Sequence, residues 1–186
     1  DMFQHILDDV VTKAGTSPAA AGLEDATVRT FVKHAAFLQL VRGRRLRLQR
    51  TEPNIGALAT ALADPVNPVT AQYHLAFVAS DTFYEHTHRY PGQRHDWQAD
   101  VDPLLSHAQT YCARIGLDLS DSDRVRLQHA CYELTRGAHS DTPSTAAYLG
   151  GVAAQEVIKI LTVQYIPLDN TCVYDGIVQA VSSFRL

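Results

Sequence analysis

Apolar residues recur at three- and four-residue steps along most of the chain, a pattern typical of amphipathic helices. Between these segments lie clusters of Pro, Gly, Ser and Asp that interrupt helices. The residues 16–22 form one such cluster and are interpreted as a linker. Helices are predicted in residues 3–14, from Val28 through Leu48 with a break near Gly43, in Ile55–Ala63, in Val69–Tyr84, in Leu104–Ile115, from Ser120–Asp123 to Gly137, and in 145–161.

Several of these helices carry recognisable ends. Asp102-Pro103 and Thr142-Pro143 each place a capping residue before a proline at the first helical position. Ser120–Asp123 is rich in N-capping side chains. Tyr90–Gln93 has Pro and Gly at the two central positions that a type II turn prefers. The helix in residues 69–84 is predicted to present one side to the core. This side consists of Val69, Tyr73, Ala76, Phe77, Ser80 and Tyr84.

The end of the chain has a different pattern. The helix in residues 145–161 is apolar on most sides, and such helices are usually buried. Two strands are predicted after it, Thr171–Tyr174 and Ala180–Phe184, separated by Asp175-Gly176. Because two strands make no stable sheet alone, further strands are expected in another segment or a partner. The predicted fold is mainly α: a helical domain in 1–140, then a helix and two strands in 141–186.

Composition excludes several classes of protein. The net charge is −4, with 46% hydrophobic and 19% charged residues, which disfavours a broad nucleic-acid-binding face. No apolar run has the length of a membrane span, and no signal peptide opens the chain. The three cysteines lack CxxC spacing, so reduced thiols in a cytoplasmic or nuclear protein are expected. The first residue is Asp rather than Met, which indicates a partial chain.

A family resemblance is carried by the end of the chain. The run Thr145–Lys159 (TAAYLGGVAAQEVIK) and the ending Asn170–Leu186 (NTCVYDGIVQAVSSFRL) resemble the inactive adenylation half of ubiquitin-type activating enzymes. Ala35–Leu38 with Val41-Arg42, and Phe83 with Arg89–Gly92, resemble the regulatory subunit of the neddylation-activating enzyme within that group.

The resemblance implies a function without catalysis in this chain. Such enzymes use ATP to adenylate the C-terminus of a ubiquitin-like modifier and then transfer it to a cysteine. The catalytic subunit of the heterodimer is expected to bind ATP and Mg²⁺ and to supply that cysteine, so no cofactor is expected here. This chain would comprise the end of a helical insertion and the last helix and strands of a Rossmann-like adenylation half. The Gly-rich strand–turn–helix of that fold is absent from these 186 residues.

Two alternatives to the neddylation subunit stay open. The chain resembles, more generally, the inactive half of a ubiquitin or SUMO activating enzyme. A free-standing helical protein-interaction module would share the same helical pattern. The expected partners are the catalytic subunit and a ubiquitin-like modifier, with neither nucleic acid nor a membrane.

The candidate site is an interface rather than an active site. In the helix predicted in residues 145–161, small residues one turn apart form a stripe. A sheet or a second helix is expected to pack closely on this stripe. The proposed interface residues are Tyr148, Gly150, Gly151, Ala154 and Glu156. A phosphate-binding role for the glycine pair lacks the GxGxxG or GKS/GKT pattern and a preceding strand. Glu156 and Lys159 share a helix face and support the helix.

Other residue clusters have a functional and a structural interpretation. The histidines His74, His86, His88 and His95 lack the carboxylate or cysteine that completes a zinc site, so solvated or structural roles are favoured. Cys112 and Cys131 lie on apolar helix faces and Cys172 in a strand, where no thioester acceptor is expected. The basic run Arg42, Arg44, Arg45, Arg47 and Arg50 is interpreted as a helix face that pairs with acidic neighbours or a partner.

Overall fold

The computed structural model describes residues 5, 9, 12–13, 25–37, 41, 44–66, 69–140 and 142–186. The chain divides into two compact units, Asp1–Leu40 and Val41–Leu186. The apolar positions of the helix predicted in residues 3–14, the linker 16–22 and the break at Gly43 lie outside the described residues.

The described residues form a mainly helical chain that ends in two strands, so the predicted fold class is confirmed. The first unit contains α1 (Asp25–His34) and a 3₁₀ turn (Ala35–Phe37). The second unit contains α2 (Leu46–Thr51), α3 (Ile55–Leu62), α4 (Thr70–Thr87), α5 (Val101–Ile115), α6 (Asp121–Arg136), α7 (Pro143–Thr162), β1 (Thr171–Asp175) and β2 (Ala180–Phe184).

Local capping decides where several helices begin and end. The Asn54 side chain accepts a hydrogen bond from the Ala57 amide at 3.1 Å at the start of α3. Ser120 and Asp123 form a reciprocal capping box on α6, and Gly116 ends α5 with a φ of +73°. The prediction for Asp102 is wrong: α5 begins at Val101, and Asp102 lies in its first turn.

The core of the second unit surrounds α4. This helix packs against α3, α5, α6 and β1, so it is buried on more sides than a single stripe. Phe77 and Tyr84, predicted to face the core, are 54% and 43% exposed. Leu75 and Phe83 take the central positions instead and are 0% and 2% exposed. Periodicity alone cannot locate the buried side of a helix that has neighbours all round.

The two strands form an antiparallel hairpin supported by α4. Thr171 pairs with Phe184 and Asp175 with Ala180 in register. Val173 and Phe184 are buried, and the Phe184 ring meets the His74 ring of α4 edge-on, with centroids 5.8 Å apart. Packing on a helix supplies the apolar contact that an isolated hairpin lacks. The residues on both sides of the predicted boundary between 140 and 141 lie within one compact unit. The division into two domains at this boundary stays a prediction.

An ion pair fixes the segment between α4 and α5. The Asp100 carboxylate accepts two hydrogen bonds from the Arg89 guanidinium, one of them at 2.5 Å. It also accepts one from the Gly92 amide at 2.9 Å. Gly92 has a φ of +82°, as the predicted type II turn requires. Asp100 is therefore the residue that holds this turn against the start of α5, a role that the sequence did not indicate.

Candidate functional site

The helix α7 presents two different faces. Its half-buried face consists of Thr145, Val152, Glu156 and Lys159, at the three- and four-residue spacing of one helix side. Next to this face, the Tyr148 ring lies against the Tyr174 ring of β1, with centroids 4.5 Å apart. Contact with the hairpin therefore accounts for one side of α7 only.

No described residue covers the other side of α7, and we call this side the outer face. No residue of α7 is buried, and this contradicts the expectation of a buried helix. The helix is exposed because no second layer lies over it among the described residues. The outer face exposes Val157, Ile158 and Leu161, and the segment after the helix exposes Val163, Tyr165 and Ile166. A group of exposed large apolar side chains of this kind is typical of an interaction site.

The five predicted interface residues are divided between these two sides. Gly150, Gly151 and Ala154 are exposed, and a Cβ atom added at either glycine would have no described neighbour within 4 Å. Tyr148 contacts β1 instead, and Glu156 contacts the segment that follows the helix. The glycine pair lies in the middle of α7, whereas phosphate-binding glycines lie at the start of a helix.

Glu156 fastens the segment after α7. Its Oε1 atom accepts a hydrogen bond from Lys159 Nζ at 2.6 Å, and its Oε2 atom accepts one from the Leu168 amide at 2.7 Å. The Lys159 ammonium, followed by the Leu168 amide, lowers the pKa of Glu156. The carboxylate is thus ionised at neutral pH and serves a structural role.

An open groove of about 1170 Å³ lies beside the hairpin. Its walls are formed by the end of α6, the start of α7, α4 and β1. Its lining includes aromatic and charged side chains, among them Tyr73, His74, Phe77, Asp81, Tyr90, Glu133, Tyr174 and Asp175. Burial raises the pKa of Tyr73 to about 12, with Asp175 adding to the effect. Gly150 and Gly151 lie outside this groove, so it offers no support for a phosphate site at the glycine pair.

The four histidines that were weighed as metal ligands do not come together in one site. His74 lies against Phe184, and burial lowers its pKa to about 4, so it is neutral at physiological pH. His88 ends α4 in the left-handed conformation, and His95 is exposed in the following loop. His86 instead stacks on His107 of α5, a partner that no sequence pattern pointed to. The described residues hold no group of three or more His, Cys, Asp or Glu suited to a metal ion.

The three cysteines occupy sheltered positions. Cys112 and Cys131 are buried and Cys172 is half-buried. Burial raises the pKa of Cys112 to about 11 and that of Cys131 to about 12, and it also raises the pKa of Cys172. Since the thiolate is the nucleophile, none of these thiols is activated in this structure.

The basic run has local partners for part of its length. Arg44 donates to the Glu52 carbonyl oxygen at 2.6 Å, and Arg50 forms an ion pair with Asp81 of α4 at 2.5 Å. Arg45 and Arg47 are exposed, and Arg42 lies outside the described residues. The expected pairing with acidic neighbours is thus confirmed for Arg50. No helix among the described residues is long and apolar enough to cross a membrane.

Comparison with curated proteins identifies the class. No protein-family model matches the chain. The chain is similar to proteins that are named for the activation of ubiquitin or of NEDD8. It is 29% identical over 116 residues to ubiquitin-activating enzyme E1 1 of Schizosaccharomyces pombe, a match that covers 62% of this chain and 11% of that protein.

Within this class, longer matches are to regulatory subunits of NEDD8-activating enzymes. The chain is 27% identical over 176 residues to the NEDD8-activating enzyme E1 regulatory subunit AXR1 of Arabidopsis thaliana, covering 95% of this chain and 32% of that protein. It is 30% identical over 167 residues to the Nedd8-activating enzyme E1 regulatory subunit of Drosophila melanogaster, covering 90% of this chain and 30% of that protein. The resemblance predicted from the sequence is confirmed: this chain is a homologue of part of these regulatory subunits, and it spans about a third of their length.

Proposed function

We propose that this chain is a non-catalytic portion of the regulatory subunit of a NEDD8-activating enzyme. In this proposal, the catalytic subunit binds ATP and Mg²⁺, adenylates the modifier and accepts it on its own cysteine. The chain contributes a folded helical unit and a surface for assembly. The similarity to regulatory subunits over almost the whole chain supports this proposal, and so does the sheltered position of its cysteines.

The uncovered outer face of α7 is the observation that carries the proposal. Gly150, Gly151 and Ala154 leave a shallow strip at the centre of this face, along which another backbone can approach closely. Exposed Ile158 and Leu161 continue the apolar surface towards the end of the helix. We propose that the adenylation sheet, near the surface shared with the catalytic subunit, packs on this strip. Burial of apolar side chains there would stabilise the complex by about 25 cal/mol per Å² of apolar area.

Replacing Gly151 by leucine tests this proposal. A Cβ atom at this position has no neighbour within 4 Å among the described residues, and leucine favours a helix over glycine by up to about 1 kcal/mol, so Tm should be unchanged or higher. In the assembled enzyme the leucine would overpack the strip at a cost of about 1–3 kcal/mol. Co-purification with the catalytic subunit should therefore fall by up to about a hundredfold in affinity.

The matched control is Ala113→Leu, on an exposed position of α5. This variant adds a comparable side chain to a helix surface that the proposal leaves free, so its recovery with the catalytic subunit should equal that of the wild type. Equal recovery of the Gly151→Leu and Ala113→Leu proteins would contradict an assembly role for the outer face.

The alternative function is the inactive half of a ubiquitin or SUMO activating enzyme, and the match to the fission-yeast ubiquitin-activating enzyme favours the ubiquitin form of it. The two functions differ in the modifier that the assembled enzyme charges. Thioester formation with NEDD8, ubiquitin and SUMO, each supplied in turn with ATP, distinguishes them. Charging of NEDD8 alone would support the neddylation subunit, and charging of ubiquitin or SUMO alone would contradict it.

A further inference from the structure

Two histidines stack on each other where α4 packs against α5. The ring centroids of His86 and His107 are 5.1 Å apart, with an angle of 26° between the ring planes. The His86 Nδ1 atom lies 2.8 Å from the Thr82 carbonyl oxygen, so this nitrogen carries a proton and donates it. His107 also meets the buried Phe83 ring edge-on, at 6.2 Å between centroids. Both rings are thus held in position by neighbours on α4.

In the described part of the chain, no carboxylate forms an ion pair with His86 or His107. Among the described residues, the histidine within ion-pair distance of a carboxylate is His129, beside Glu133 on α6. Arg89 lies over the Phe83 ring, but Asp100 pairs with its charge. The acidic residues nearest in the chain are Glu85 on α4 and Asp102 on α5. Neither forms an ion pair with His86 or His107.

We propose that the His86–His107 stack makes the packing of α4 on α5 sensitive to pH, so that this joint weakens as the pH falls from neutral to mildly acidic values. Histidine changes its charge between about pH 5 and 8. Protonation of both rings places two like charges in contact, and no carboxylate among the described residues forms an ion pair with either ring.

The direction of the effect follows from the surroundings of His107. Burial, followed by the charge of His86, lowers the pKa of His107. The unfolded chain, in which histidine has a pKa of about 6.5, then binds more protons than the folded one. The contribution of neutral His107 to stability is therefore fully present above that value, and it is lost as the pH falls towards the lowered pKa.

An NMR titration of the histidine ring protons in the whole chain tests the coupling. In the wild type the His107 resonance should titrate at a lower pH than an ordinary histidine. In the His86→Gln variant the His107 midpoint should move to a higher pH, because the neighbouring charge is gone while Phe83 remains. A His107 midpoint that is the same with and without His86 would overturn the proposal.

The pH dependence of thermal unfolding tests the consequence. Between pH 7.5 and 5.5, His107→Gln should lose about 2–4 °C less in Tm than the wild type. His129→Gln is the control, since it removes an exposed histidine that is paired with a carboxylate. Buried His74 is present in every variant, so its contribution cancels. Parallel loss of Tm in the wild type and in His107→Gln would contradict a pH-sensitive joint. If His107→Gln does not fold, His86→Gln on the exposed ring serves in the same comparison.

Discussion

The Asp100→Asn variant should be less stable than the wild type by about 3–5 kcal/mol. The Asp100 side chain is 5% exposed and that of Arg89 is 18% exposed. Removal of one partner from a buried ion pair leaves the other charge uncompensated, at a cost of about this size. Asparagine has the same shape as aspartate, so the loss reports the charge and its hydrogen bonds rather than a cavity. Urea unfolding followed by circular dichroism measures it.

The control for this variant is Asp102→Asn, two residues further along the chain. Asp102 is exposed in the first turn of α5, where a carboxylate stabilises a helix by about 0.3–1 kcal/mol. Its replacement should cost no more than that. Losses of the same size in the two variants would show that Asp100 acts only as a helix-terminal charge and does not hold the turn at Gly92.

The same ion pair predicts a loss of stability in acid. Hydrogen bonds from Arg89 lower the pKa of Asp100 against the opposing effect of burial, and the Gly92 amide adds to the lowering. The unfolded carboxylate has a pKa of about 3.9, so this contribution is present above that pH and is lost as the pH falls through the lowered value. The difference in unfolding free energy between wild type and Asp100→Asn should therefore shrink below about pH 4.

Replacing Gly92 by alanine should destabilise the protein through a collision with α6. Gly92 has a φ of +82°, and a Cβ atom there would lie 2.0 Å from the Thr135 carbonyl oxygen and 2.7 Å from the Ala138 Cβ. The left-handed conformation itself costs a non-glycine residue about 1–2 kcal/mol. The turn would also have to move away from the end of α6, which adds about 1–3 kcal/mol for overpacking.

Gly116→Ala separates these two contributions. Gly116 also has a positive φ, +73°, but no described atom would lie within 4 Å of a Cβ atom there. This variant should therefore show the conformational cost alone. Denaturation midpoints of both proteins are compared at the same temperature and pH. A Gly92→Ala protein no less stable than Gly116→Ala would mean that the turn does not pack on α6 as the structure has it.

Predictions from the sequence succeeded where the interaction is local. The capping segment Ser120–Asp123, the end of α5 at Ile115 and the turn at Gly92 each depend on residues within four positions of one another. The start of α3 at Ile55 was also predicted, and the structure adds that the Asn54 side chain caps it. The sequence also carried the family resemblance through its last helix and strands, because a resemblance requires only the order of residues.

The partners of side chains were decided by the tertiary structure. Arg89 and Asp100 are eleven residues apart, so no helical or strand spacing links them. The stack of His86 and His107 joins two different helices for the same reason. The burial of Phe83 rather than Tyr84 depends on where α5 packs against α4.

The sequence by itself determined the helices and strands from residue 55 onwards, the positions of several helix ends, and the similarity to regulatory subunits of NEDD8-activating enzymes. It also determined that α7 is apolar on most sides. Only the tertiary structure decided that the hairpin lies against one face of this helix, while the other face has no cover among the residues that the structure describes. The physical reason is that periodicity reports how apolar each side of a helix is, whereas burial depends on which other surfaces lie against it.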